Sequence, residues 1–132
     1  MTHRRAEEID WSPAGDEHFT GRVWFGSHHE PHDEDDLAVL GVSFEPGARS
    51  DWHSHPAGQV LYVVAGRAVV QAEGEPAVVA GPGDAVHAAA GVVHWHGAPP
   101  DSPMIHLSIT HGGATKWLPR KVSDAEYRAV LD

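Results

Sequence analysis

Fourteen glycines and ten prolines cut this 132-residue chain into short pieces. Between them lie runs of four to eight residues rich in Val, Leu, Ile, Phe and Trp. Runs of that length and composition, bounded by turn residues, read as strands. We expect them at about residues 19–25, 37–44, 49–55, 59–65, 68–72, 77–80, 84–87, 93–97 and 104–110. The turns between them include Glu45-Pro46-Gly47, Pro56-Ala57-Gly58 and Gly81-Pro82-Gly83. Many short strands at regular spacing make an all-β sandwich or barrel, here with about nine to eleven strands. One helix is expected. Ser123 and Glu126 stand in the capping-box arrangement, and the helix should run through Tyr127 to Leu131 on the outside of the barrel.

Composition narrows the function. The length suits a single domain over residues 1–132 and is too short for a TIM barrel or a two-domain Rossmann enzyme. Nine basic against nineteen acidic residues give a net charge of −10. Such a chain is poorly suited to phosphate backbones or anionic membranes, so neither nucleic acid nor membrane is an expected partner. No run approaches the length of a membrane-spanning helix. Met1 to Glu8 has no apolar stretch behind its basic residues, so a cytoplasmic location is expected. Open sheet edges in so small a chain favour a homodimer.

Cysteine is absent, so thiolate sites and Cys nucleophiles are excluded. Histidine is abundant instead, with twelve in the chain. His53 and His55 are two apart, as are His94 and His96. On a strand, that spacing puts each pair on one face. Buried imidazoles are costly unless every ring nitrogen finds a partner, and a divalent cation is a natural one. The segment 28–36 is dense in His, Asp and Glu. It reads as a solvated loop, with a surface metal scavenger as the sharper alternative.

Gly47, His53, His55, Gln59 and Gly66, then Gly83, Gly91 and His94, resemble in spacing the two motifs of the cupin superfamily, at about residues 47–66 and 83–98. Gln59 stands where most cupins have Glu, and Ala89 and Ala98 stand where Pro and Asn are common. The resemblance implies a double-stranded β-helix, a jelly-roll-like barrel, with a metal between its sheets. The run from Phe44 to Gln59, His94-Trp95-His96-Gly97-Ala98, the segment 104–109, Phe19-Thr20-Gly21 and the tail from Trp117 to Tyr127 are similar to bacterial cupin hydroxynitrile lyases. That resemblance implies a manganese or iron ion on His53, His55, Gln59 and His94. It also implies two catalytic, non-ligand histidines, His96 and His106.

Four neutral ligands leave the cation its full charge, which strengthens it as a Lewis acid. Imidazole and amide donors exclude no first-row metal, so Ni(II) and Zn(II) stay open beside Mn(II), the first expectation, and Fe(II). Alternation places Met104, Ser108 and Thr110 on the face of His106, and Leu40, Val42 and Phe44 on one face of their strand. The pocket should then be largely apolar. Parity sets Ser50 and Trp95 away from it, and His87 falls outside the ligand spacing. Three functions remain open for this small-molecule site. One is a lyase that cleaves or forms cyanohydrins, with His96 as base. Another is an iron- or manganese-dependent dioxygenase, and the third is a non-catalytic sensor. A lyase using a free imidazole of ordinary pKa should lose activity below about pH 6.

Overall fold

The computed structural model describes residues 1–131. In chain order the strands are β1 (Trp11–Pro13), β2 (Phe19–Thr20), β3 (Val23–His29), β4 (Ala38–Phe44), β5 (Arg49–Ser50), β6 (His53–Ser54) and β7 (Gln59–Ala65). They continue with β8 (Ala68–Ala72), β9 (Val78–Ala80), β10 (Ala85–Ala88), β11 (His94–Gly97), β12 (Met104–Thr110) and β13 (Lys116–Trp117). A single 3-10 turn, Ala6–Glu8, precedes them, and helix α1 (Asp124–Ala129) follows.

Thirteen strands exceed the number expected from sequence, partly because two expected runs are each divided. The run 19–25 breaks at Gly21, whose φ is +81°. A Cβ there would lie 2.9 Å from the Cα of Ala48, so only glycine fits where the chain crosses between sheets. The run 49–55 breaks at Asp51 and Trp52. Their N–H groups leave the ladder and donate to the carbonyls of His18 and Arg120. Conversely, β3 runs on to His29, so His28 and His29 belong to a strand and not to the charged loop. The helix ends at Ala129, short of Leu131. Its capping box forms as read from sequence, with both reciprocal bonds at 3.1 Å.

The strands form two antiparallel sheets. One has the order β1-β3-β4-β12-β7-β10. The other runs β13-β6-β11-β5-β2, with β8 also paired to β11 and β9 to β8. Their inner faces enclose Phe19, Val42, Phe44, Leu61, Val63 and Met104. At roughly 1.5–3 kcal/mol for each large apolar side chain removed from water, this layer holds the sheets together. A second cluster lies outside the β11 sheet, where Trp52, Val69 and Trp95 are covered by Val122 and Tyr127. Trp95 is thereby core. Arg49 pins this cover. Its Nε and Nη2 donate to the Val122 carbonyl at 3.1 and 2.9 Å, and Nη2 donates to Asp124 at 2.7 Å. The guanidinium also lies 4.5 Å from the centre of the Tyr127 ring.

On the outer face of the six-stranded sheet, Trp11 and His28 lie over Gly26 and Gly41, but β7 and β12 have no such cover among the described residues. Alternation turns Val39, Val60, Tyr62, Val64, Leu107 and Ile109 outward, and Tyr62 and Val64 are exposed. β4, β7 and β12 carry no charged residue.

Candidate metal centre

His94 and His96, two apart on β11, both face the interior, and His53 on β6 pairs directly with His94. From the opposite sheet, Gln59 opens β7 while His106 and Ser108 point inward from β12. His55 follows β6 in a tight turn. Its carbonyl accepts from the N–H groups of Gly58 and Gly91 at 3.2 and 3.0 Å. Gly58 has φ +88°, and a Cβ there would lie 2.8 Å from the Ala88 carbonyl oxygen.

Two sheets therefore bring seven polar side chains, distant in sequence, into one buried site. His53, His94 and His96 each present a nitrogen, all within 4.8 Å of one another. The His55 ring lies 5.1 Å from that of His53 and 5.7 Å from that of His94. Gln59 Oε1 is 2.9 Å from His94 Nε2. His106 Nε2 and His96 Nδ1 share a hydrogen bond at 3.0 Å. Burial pushes every one of these imidazoles down, reinforced by repulsion from neighbouring rings at His53, His55, His96 and His106. His55 and His106 fall to about 4, and His53 and His96 lie well below the ordinary value. All are neutral near pH 7, and the acid edge expected near pH 6 for a free imidazole moves lower.

Hydrogen bonding tests whether a cation fits. His53 Nδ1 donates to the Asp51 carbonyl at 2.9 Å, and His94 Nδ1 donates to the Val92 carbonyl at 3.0 Å. Each ring is thereby held with a bare Nε2, the arrangement typical of metal-binding histidine. The His94 lone pair faces Gln59 Oε1, another acceptor, while the Gln59 amide donates to Ser108 Oγ. Turning the amide end for end would relieve that one conflict. It would leave His55 Nε2, also buried, without a partner. A cation among these atoms relieves the conflict and offers a partner to the bare nitrogens. Two donor atoms about 2.1 Å from one ion, at right angles, lie about 3 Å apart, in keeping with His94 and Gln59. The residues present fit a divalent metal.

The cavity beside this cluster is about 70 Å³ and is lined by Leu40, Val42, Phe19, Phe25, Thr115 and Trp117, besides the polar groups. Leu40 and Val42 stand where alternation places them. Phe44 does not line the cavity. It is fully buried against His96 and His106, with ring centres 5.7 and 5.5 Å away. Ser50 is buried behind β11, its Oγ accepting from the His96 N–H at 3.2 Å. His87 is exposed on β10. Sequence reasoning missed Phe19, Phe25, Thr115 and Trp117 as lining residues, and the approach of the His96 nitrogen to those of His53 and His94. Trp117 lies 4.8 Å from the His53 ring and stacks on His18 at 4.2 Å. It arrives through the pairing of β13 with β6, which no local spacing announces. In the acidic loop, Asp36 Oδ2 is 3.0 Å from His29 Nε2 and accepts from the His32 N–H at 3.0 Å. Among the described residues the loop gathers no metal-holding group of three.

A family model described as "Cupin domain" matches residues 41–110, more than half of the chain. The chain belongs to the cupin family. As a cupin it is 42% identical over 113 residues to a protein named (R)-mandelonitrile lyase from Granulicella tundricola, covering 83% of this chain and 86% of that one. It superimposes on the crystal structure of a cupin-like protein from Thermotoga maritima with a TM-score of 0.83 at 41% identity, over 90% of this chain and 92% of the other. The polyketide cyclase RemF from Streptomyces resistomycificus shares the fold at a TM-score of 0.76 and 13% identity, over 100% and 94%. The double-sheet barrel is thus a cupin barrel, with a group of three histidines suited to a metal ion. No helix among the described residues is long and apolar enough to cross a membrane.

Proposed function

We propose that this cupin is a metal-dependent lyase that cleaves and forms aromatic cyanohydrins. The observation that carries the reading is the buried His96–His106 pair beside the bare nitrogens of His53 and His94. The named relative supports the substrate, and (R)-mandelonitrile is the compound to try first. His53, His55, Gln59 and His94 hold the metal, Mn(II) before Fe(II). The metal supplies Lewis acidity toward the substrate oxygen.

His96 Nε2 is the base. With its Nδ1–H donated to His106 Nε2, its bare Nε2 takes the proton of the substrate hydroxyl. The bond between the carbinol carbon and the nitrile carbon breaks. The oxygen's electrons form the carbonyl, and the pair from the broken bond leaves with cyanide. His96 then gives the Nε2 proton to cyanide, while His106 Nε2 goes on accepting the His96 Nδ1–H and holds the ring and its passing charge in place. Aldehyde and HCN are the products, and both imidazoles end neutral. Burial keeps both rings unprotonated at neutral pH, so the base is ready.

Two copies of the chain form a homodimer through the outer face of the six-stranded sheet, centred on the uncovered strands β7 and β12. Charge supports this reading. A molecule of net charge −10 repels its copy least across β4, β7 and β12, which carry no charge.

Release of benzaldehyde from mandelonitrile by metal-loaded protein tests the activity. Oxygen uptake with a catechol or enediol, and no benzaldehyde, would replace the lyase with a dioxygenase.

A further inference from the structure

The 70 Å³ beside the histidines has room for roughly two water-sized groups. Sites that enclose a drug-sized molecule span about 300–1,000 Å³. The remaining room lies on the same inner face of the six-stranded sheet, in a groove of about 470 Å³ beneath the N-terminal arm. Phe25 and Leu40 line both spaces. Register explains the join. Ser12 on β1 lies opposite Phe25, and Ser27 on β3 lies opposite Leu40, so groove and cavity share one surface of one sheet. Arg4 Nη1 donates to the Ser27 carbonyl at 3.2 Å and ties the arm to that surface. The ionisable groups lining the groove are Arg4, Glu8, Asp10 and Glu30, an excess of two acidic charges.

We propose that the groove under the N-terminal arm is the second half of the substrate site, with Phe25 and Leu40 as its waist. The small cavity takes the carbinol carbon with its hydroxyl and nitrile. The aryl body extends past Phe25 and Leu40 into the groove. The acidic rim favours a neutral or cationic body over one that bears a carboxylate. The proposal rests on the cyanohydrin reading for the head of the substrate. The groove itself can be tested by binding alone.

Isothermal titration of the metal-loaded protein with benzyl alcohol and with 4-carboxybenzyl alcohol is the test. Wild type should bind the neutral alcohol more tightly. Glu8→Lys with Asp10→Lys should shift the preference toward the carboxylate by roughly 3–10-fold at low salt, and the shift should shrink at high salt. The charge-matched pair Glu75→Lys with Asp101→Lys, exposed and outside the groove, should not move it. Phe25→Trp should weaken benzyl alcohol at least several-fold while metal content stays full. An equal response of the two lysine pairs would overturn the proposal, as would unchanged benzyl alcohol affinity in Phe25→Trp. If the rim pair fails to fold, the Phe25 variant decides alone. Absence of mandelonitrile cleavage would remove the cyanohydrin reading and leave these affinities standing. Loss of the discrimination would remove the groove and leave turnover standing.

Discussion

Stripped of metal by a chelator, this protein should lose stability steeply between pH 7 and pH 5. His55 and His106 are held down to about 4 by burial, against an ordinary value of 6.5. Between those limits the unfolded chain binds protons that the folded one refuses, so falling pH favours unfolding. At pH 5 an unfolded histidine is almost fully charged while either of these two is about nine-tenths neutral. The difference amounts to about 2 kcal/mol for each, or about 4 kcal/mol for the pair. His53 and His96 are pushed the same way, so the loss should exceed that figure. Against a typical total of about 5–15 kcal/mol, it brings the metal-free protein close to unfolding. Urea titrations followed by tryptophan fluorescence at pH 7, 6 and 5 would measure it. Ordinary carboxylates contribute little above pH 5, so the slope reports the histidines. Saturating Mn(II) should hold stability up near neutral pH, because the ion binds only deprotonated rings. A metal-free unfolding free energy that stays flat from pH 7 to pH 5 would refute the reasoning.

Other outcomes follow from the same geometry. Together, His53→Ala and His94→Ala should abolish metal binding by elemental analysis, while Gln59→Ala should weaken it less, since water can replace an amide oxygen. His96→Ala should keep the metal yet lose roughly 10²–10⁴ in cleavage rate if it is the base; a rate unchanged in a stopped assay would remove His96 from the mechanism. Arg49→Met should cost about 2–3 kcal/mol in urea unfolding, because it leaves the Val122 carbonyl without its donor and frees the cover over Trp95. Leu107→Lys should turn a dimer into a monomer by light scattering. A wild-type monomer at micromolar concentration would remove the dimer.

The β architecture was legible in the chain because strand formation is a local matter. Gly and Pro mark the ends of runs, and alternation assigns faces within them. Alternation also paired His94 with His96 and turned Leu40 and Val42 toward the cavity. It failed where the chain leaves its own ladder. At Gly21 the run divides between two sheets because Ala48 lies too close for a side chain. At Asp51 and Trp52 the hydrogen bonds go to His18 and Arg120, partners that no local pattern identifies. Trp117 reaches the His53 ring only because β13 pairs with β6. The hydrogen bond between His96 and His106 depends on two sheets closing at one distance. Sequence supplied the residue types and their periodicity. The depressed imidazoles, the opposed lone pairs of His94 and Gln59, and the meeting of cavity and groove at Phe25 arise from burial and from contacts between distant strands. Those are properties of the packed molecule, which no stretch of chain carries by itself.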